Sequence, residues 1–262
     1  MEVNVYKADG SIEGKVSLPD VFSTQFNKDI VLRALLSEQS REYQPQGRDR
    51  LAGLRTSATY VGRYSTYRTL RHMGVAIRPR QKLAKGAMGE VRRIPSARKG
   101  RRAHPSKVEK RIVERINKKE YDKAMAMAIS ATANAEAISK RHSFKGALPI
   151  VVEAGFERIG KTKELYAALK KLGLGNDLER SHDPRLRQGL KRLSKARHFR
   201  KSAVIIAKDA SMLERAGRNI PGIDVVQIDR MSIAKLAPGG EPRLAIWTEP
   251  AIKGLAEALA KR

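Results

Sequence analysis

The sequence predicts an α/β protein: a single, mostly parallel sheet with helices on its faces, interrupted near its beginning by a long, extended basic loop. Three observations predict it. Short apolar runs of β type alternate with helical stretches long enough to cross over between parallel strands. One stretch, Tyr43 to Val108, carries 17 Lys or Arg against two acids and shows neither helical nor strand periodicity. The length of 262 residues suits one full domain with a sizeable extension, whereas two complete domains would be cramped. Residues 1–44 and 108–262 are therefore read as the two parts of the globular domain, and 45–107 as the inserted loop.

The elements follow in order. Glu2 to Lys7 and Lys15 to Leu18 read as short strands around the turn Asp9-Gly10, and Asp29 to Ser40 has helical spacing through Ile30, Leu32, Ala34, Leu35 and Leu36. Beyond the basic stretch, Asn117 with Glu120 three residues on resembles a capping arrangement ahead of an Ala-rich helix through Ala124 to Ser139, with Met125 and Met127 as packing residues. Leu148 to Glu153, Ala203 to Ala207, Ile223 to Ile228 and Leu244 to Trp247 read as further strands. Thr162 to Leu172, Met212 to Asn219 and Pro250 to Leu259 supply the helices between and after them.

Composition narrows the function classes. Fifty-four Lys and Arg against 27 Asp and Glu leave a net charge of +27, far beyond what solubility needs, so a polyanionic partner is expected, nucleic acid ahead of an anionic membrane surface. No run approaches the roughly 18 apolar residues of a membrane span, and the opening MEVNVYKADG lacks a basic segment followed by an apolar one, so a soluble, cytoplasmic chain without a membrane partner is expected. The absence of cysteine excludes disulfides and thiolate chemistry. His72, His104, His142, His182 and His198 are scattered without metal-ligand spacing, no nucleophile elbow occurs, and the basic stretch holds too few acids for a paired-carboxylate nuclease. No cofactor, metal, small-molecule substrate or catalytic residue is expected.

The charge is unevenly placed. The first 40 residues carry four basic and six acidic side chains, whereas Tyr43 to Val108 nets +15. A short charge run is ordinarily a solvated face, but a long aperiodic one with seven glycines and four prolines reads as a segment without a core of its own that a partner orders. Its arginines outnumber its lysines 13 to four, which favours planar, bidentate contacts to phosphates and base edges. The candidate RNA contacts on the outgoing arm, Gly47 to Tyr60, are Arg48, Arg50, Arg55 and Tyr60. Around the middle, Arg63, Tyr64, Tyr67, Arg68 and Arg71 interleave stacking rings with guanidinium forks, followed by Arg78, Arg80, Lys82, Lys85, Arg92 and Arg93. The returning arm, Ala97 to Lys107, adds Arg98, Lys99, Arg101, Arg102, His104 and Lys107. A second run, Arg180 to Lys201, sets nine basic residues against Asp183 alone and contributes Arg185, Arg187, Lys191, Arg192, Arg197 and Arg200.

Four segments in order, Leu18-Pro19-Asp20-Val21-Phe22, Ala52 to Thr56, Lys99 to Lys107 and Leu236 to Gly240, resemble the family of the fourth protein of the large ribosomal subunit, in its archaeal and eukaryotic-like branch. The similarity spans nearly the whole chain. It departs at Val61-Gly62-Arg63-Tyr64, where family members commonly carry Gly-Ser-Gly-Arg or Gly-Thr-Gly-Arg. The resemblance implies a globular domain at the subunit surface, contacts with 23S-type ribosomal RNA and neighbouring large-subunit proteins, and a loop that threads the RNA to the wall of the polypeptide exit tunnel. It implies no catalysis.

A rival reading is present. Gly155 to Thr162 fits the phosphate-cradling pattern G-x-x-x-x-G-K-S/T and lies between an expected strand and an expected helix, as a nucleotide hydrolase would require. Against it, Glu157 would bring a carboxylate towards the anion, and Phe156 and Ile159 suit packing better than closure on a ligand. A free-standing RNA chaperone is the other alternative, since it would carry the same charge pattern without a fixed assembly.

Overall fold

Glu2–Tyr6 (β1) and Ile12–Ser17 (β2) form an antiparallel hairpin, and Gly10 closes its turn at φ 82°, the backbone conformation the Asp9-Gly10 pair predicts. In this computed structural model, which describes residues 2–67, 69–144, 146–190 and 197–260, the hairpin is one edge of a six-stranded sheet. The other strands are Ile150–Val152 (β5), Val204–Ala207 (β8), Asp224–Gln227 (β9) and Ala245–Thr248 (β10), in the order β2-β1-β5-β10-β8-β9. All pairings except β1 with β2 are parallel. The mostly parallel sheet expected from the βαβ rhythm is thus present.

Alternation along the strands distributes side chains between two cores. Val151, Val204, Ile206, Ala245 and Trp247 face one side, where they pack with the helices Lys28–Glu42 (α1), Lys118–Ala131 (α2), Ile233–Leu236 (α7) and Glu249–Ala260 (α8). Ile150, Val152, Ile205, Ala207 and Ile246 face the other, against Thr162–Leu169 (α4), Gly175–His182 (α5) and Ser211–Gly217 (α6). Burying both faces of the central strands is what makes them continuous apolar runs in the sequence. Phe22 closes the first core edge-on to Trp247, with ring centroids 5.4 Å apart.

Several elements differ from expectation. The helix expected over Ala124 to Ser139 is two, α2 and Ala135–Ser139 (α3), because Asn134 leaves helical geometry and its side chain accepts the N–H groups of Glu136 and Ala137 at 3.0 and 3.3 Å. Asn117 does begin α2, but its side chain makes no cap bond. α4 stops at Leu169 and continues through a π-type turn, Lys170–Leu174, in which Gly173 takes φ 88° and redirects the chain into α5. α5 and α7 have weak sequence signals. Burial of Leu178 and Leu236 holds them in place.

The chain divides into two units, Met1–Glu42 with Val113–Arg262, and Tyr43–Ile112. The second is not without internal structure. Arg80–Lys82 (β3) and Met88–Val91 (β4) form an antiparallel hairpin around a turn at Lys85 and Gly86, both at positive φ, and Thr59 bridges Arg80 from the other side. Ala58 and Leu70 are buried within it, although neither belongs to the two core clusters of the globular unit. The segment is held by pairing at a distance, Thr59 with Arg80 and Leu70 N–H with Val61 O at 3.2 Å, which leaves no periodic trace in the sequence.

Candidate nucleic-acid interface

Within residues 43–112 the outgoing and returning stretches run beside each other. Arg48 N–H donates to Ser106 O at 3.1 Å, and a Cβ at Gly53, where φ is 82°, would stand 2.6 Å from Gly100 O. Only glycine allows that approach. Arg48, Arg50, Lys99 and Arg102 converge on one concavity there, beside Asp49. Two acids temper the arms: Asp49 pairs with Arg55 at 3.0 Å, and Glu109 pairs with Arg50. The Glu109 carboxyl lies below the usual range, first through a backbone hydrogen bond and then through Arg50.

The candidate contacts divide by exposure. Arg48, Arg50, Arg55, Arg63, Arg78, Lys82, Lys85, Arg93, Arg98, Lys99, Arg101, Arg102, His104 and Lys107 are exposed, as a polyanion would require. Tyr60, Tyr64 and Tyr67 are exposed too, Tyr64 by 72 % and Tyr67 by 83 %, unlike rings that serve a core. Arg71, Arg80 and Arg92 are half-buried and turned onto the chain itself. Arg71 donates from Nε to Gly62 O at 2.7 Å and lies 4.0 Å from the Tyr64 ring centroid, while Arg92 donates to Arg98 O at 2.8 Å and pairs with Glu90. Arg71 and Arg92 thus tie the segment to itself. Arg68 lies outside the described residues.

In the globular unit, Arg185–Leu186 (β6) and Arg197–His198 (β7) form a small antiparallel ribbon that presents Arg185 and Arg197, with Arg200 exposed and Arg187 half-buried nearby in sequence. Lys191 and Arg192 lie outside the described residues. The sequence reading missed Lys110 and Arg111, both exposed, because the charge count ended two residues short of them. It also missed the apolar side chains Val75, Ile77, Leu83 and Met88, exposed amid the basic residues, which only an alternation test around Gly86 could have found.

Gly155 to Thr162 does not form a phosphate cradle. Ala154–Arg158 is a tight 3-10 turn, and Phe156 is fully buried beneath it. Glu157 occupies the carboxyl end of the sheet, accepting Lys208 N–H at 2.9 Å, Asp209 N–H at 3.2 Å and the Thr248 hydroxyl at 2.6 Å. A carboxylate thus fills the crevice where a parallel sheet would bind phosphate. Lys161 is 80 % exposed and pairs with Glu164 at 3.2 Å.

A sequence model of the ribosomal protein L4/L1 family matches residues 16–258. The chain belongs to that family. Its archaeal relatives include a protein of Methanococcus vannielii, 41 % identical over 98 % of this chain and 99 % of its own length, and one of Methanocaldococcus jannaschii, 39 % identical over the same shares. A third, from Methanococcus maripaludis, is 40 % identical over 97 % of the chain and 98 % of its own length. All three bear the name large ribosomal subunit protein uL4, and in archaea that subunit lies in the cytoplasm. The L4/L1 family is structural rather than enzymatic, and as a member of it the chain is a structural ribosomal protein.

One buried cluster could be mistaken for a catalytic triad in this L4/L1 fold. Asp177 accepts from the Ser202 hydroxyl at 2.7 Å and the Ser143 N–H at 3.3 Å, and its other contacts are His142 Nδ1 at 3.0 Å and Arg180 Nε at 2.9 Å. The carboxylate stands between serine and histidine, so the hydroxyl donates to the acid and not to the base, and a nucleophile is not activated. Burial pushes the Asp177 carboxyl up, but the hydrogen bonds of His142 and Ser202 and the charge of Arg180 outweigh it and bring it down to about 2.

Proposed function

We propose that the chain binds 23S-type ribosomal RNA of the large subunit chiefly through residues 43–112, supports subunit assembly, and lines part of the polypeptide exit tunnel with the middle of that segment. The observation that carries the reading is the concentration of charge: a net +15 from Tyr43 to Val108, borne mostly by exposed side chains and accompanied by four exposed tyrosines, Tyr43, Tyr60, Tyr64 and Tyr67. Guanidinium groups satisfy phosphate oxygens in pairs, and the rings offer stacking surfaces to unpaired bases. The proposed contacts are the exposed basic residues and tyrosines of both arms, with Arg185, Arg187, Arg197 and Arg200 as a second site on the globular unit. Lys191 and Arg192 belong to the same proposal from sequence alone. Globular-unit surfaces serve as the handle on the particle and on neighbouring ribosomal proteins.

The test is reconstitution of large subunits with the full chain and with residues 63–92 deleted, reading incorporation by sedimentation and RNA protection by chemical probing. The full chain should comigrate stoichiometrically and protect tunnel nucleotides. The deletion should still enter particles but lose that protection. A full chain that stays in a free pool would favour an RNA chaperone, and unchanged tunnel nucleotides in the deletion would sink the tunnel assignment.

A further inference from the structure

We propose that the concavity between β3–β4 and the Thr59 to Leu70 stretch receives a single unstacked nucleobase of the RNA that residues 43–112 bind; the proposal rests on the RNA-binding reading above. The concavity measures about 420 Å³, inside the range of roughly 300–1,000 Å³ that small-molecule pockets occupy. Its lining is mixed in a telling way. Val61 and the buried Leu70 are apolar, Leu83 and Met88 add exposed apolar edges, and Tyr67 brings a ring that is 83 % exposed. Arg80 belongs to the same lining, and its Nε is buried with no hydrogen-bond partner among the described residues. Its Nη2 donates to Ala76 O at a long 3.4 Å. Gln81 and Lys82 supply further polar groups beside it.

A buried donor without an acceptor calls for a ligand that brings one. Three occupants can be compared on that ground. A lone phosphate would satisfy Arg80 but leave the leucine and methionine walls uncovered. An aliphatic side chain from a neighbouring protein would cover those walls but leave Arg80 Nε unpaired. A nucleobase does both, because its flat face is apolar and its edge carries nitrogen and oxygen acceptors, and RNA-binding proteins read bases that have left the helix in this manner. The surrounding +15 brings RNA to the site in the first place. The tyrosine offers a stacking plane for the base once there.

The experiment uses large subunits reconstituted with the full chain. A photo-crosslinking benzoylphenylalanine replaces Leu83, whose side chain is half exposed, and in a second variant Met88→Trp fills the concavity from within. The crosslink should map to one nucleotide of the large-subunit RNA. In the Met88→Trp particle, that base should become reactive to base-edge probes while hydroxyl-radical protection of the RNA backbone along the segment persists. Crosslinking to a ribosomal protein, or scattered crosslinks with base reactivity unchanged in the tryptophan variant, would overturn the nucleobase pocket and leave RNA binding standing. Absence of any backbone protection with the unaltered chain would overturn the RNA-binding reading and this proposal together. If Met88→Trp fails to enter particles, the crosslink alone decides.

Discussion

Replacing Arg243 with methionine tests how much the globular unit depends on one buried charge. Arg243 is fully buried just ahead of β10. It donates to the carbonyls of Ser202, Ala203 (2.8 Å) and Gly222 and pairs with Asp224, so it ties together the starting ends of β8, β9 and β10. Methionine refills most of the volume, so the expected loss is polar and not a cavity effect. Breaking one side of a buried ion pair costs about 3–5 kcal/mol. Here the lower end applies, because Asp224 keeps Lys201 at 2.8 Å and Lys235 at 3.3 Å, and the Gly222 and Ala203 carbonyls keep the N–H groups of Ser202 and Asp224. Among the described residues, Ser202 O is the one of these three carbonyls left without another donor. The sole tryptophan, Trp247, lies fully buried in the same unit and reports its unfolding by fluorescence. With a urea dependence of roughly 2 kcal/mol per molar, a loss of about 3 kcal/mol moves the midpoint down by about 1.5 M at unchanged slope. A shift below about 0.5 M would show that Arg243 is not the clamp its contacts describe.

Acid sensitivity should trace in part to Asp177. Its folded pKa of about 2 lies below the unfolded value, so its contribution, roughly 2 kcal/mol, is present above about pH 4 and is lost as pH falls towards 2; Asp177→Asn should flatten that part of the urea-midpoint profile, and an unchanged profile would refute the assignment. Lys161→Ala should alter stability by less than about 1 kcal/mol, since its ion pair with Glu164 is exposed, and fluorescent ATP and GTP analogues should show no saturable, magnesium-dependent binding to either form. Glu157→Ala should cost about 1–3 kcal/mol in the same urea assay, because three donors at the ends of β8 and β10 lose their acceptor; a neutral result would reopen the phosphate-cradle reading. RNA affinity of the full chain should fall on the order of 10³-fold between about 50 and 200 mM salt if six or so phosphates are contacted, and a flat response in a binding titration would count against the exposed arginines as phosphate ligands.

The sequence by itself determined the layering of the fold and the segregation of charge. Runs such as Val204 to Ala207 announce strands buried on both faces, and local periodicity suffices because each strand and each long helix needs its apolar residues at fixed spacing whatever it packs against. The net +15 between Tyr43 and Val108 is likewise a property of composition, legible without coordinates. Tertiary structure alone decided what individual polar groups do. Arg63 and Arg71 look alike in the sequence, yet one is exposed and the other is held on Gly62 O and the Tyr64 ring, because the fold of the hairpin segment sets which guanidinium finds a carbonyl. Glu157, read beforehand as a carboxylate awkward for a phosphate loop, proves to bind strand ends 51 and 91 residues away in sequence. The pairing of Arg243 with Asp224 depends on β8 lying between β10 and β9, a strand order that no local pattern encodes. Hydrogen bonds and ion pairs are short-ranged and directional, so their partners are fixed by the crossing of distant segments, whereas burial is read one element at a time.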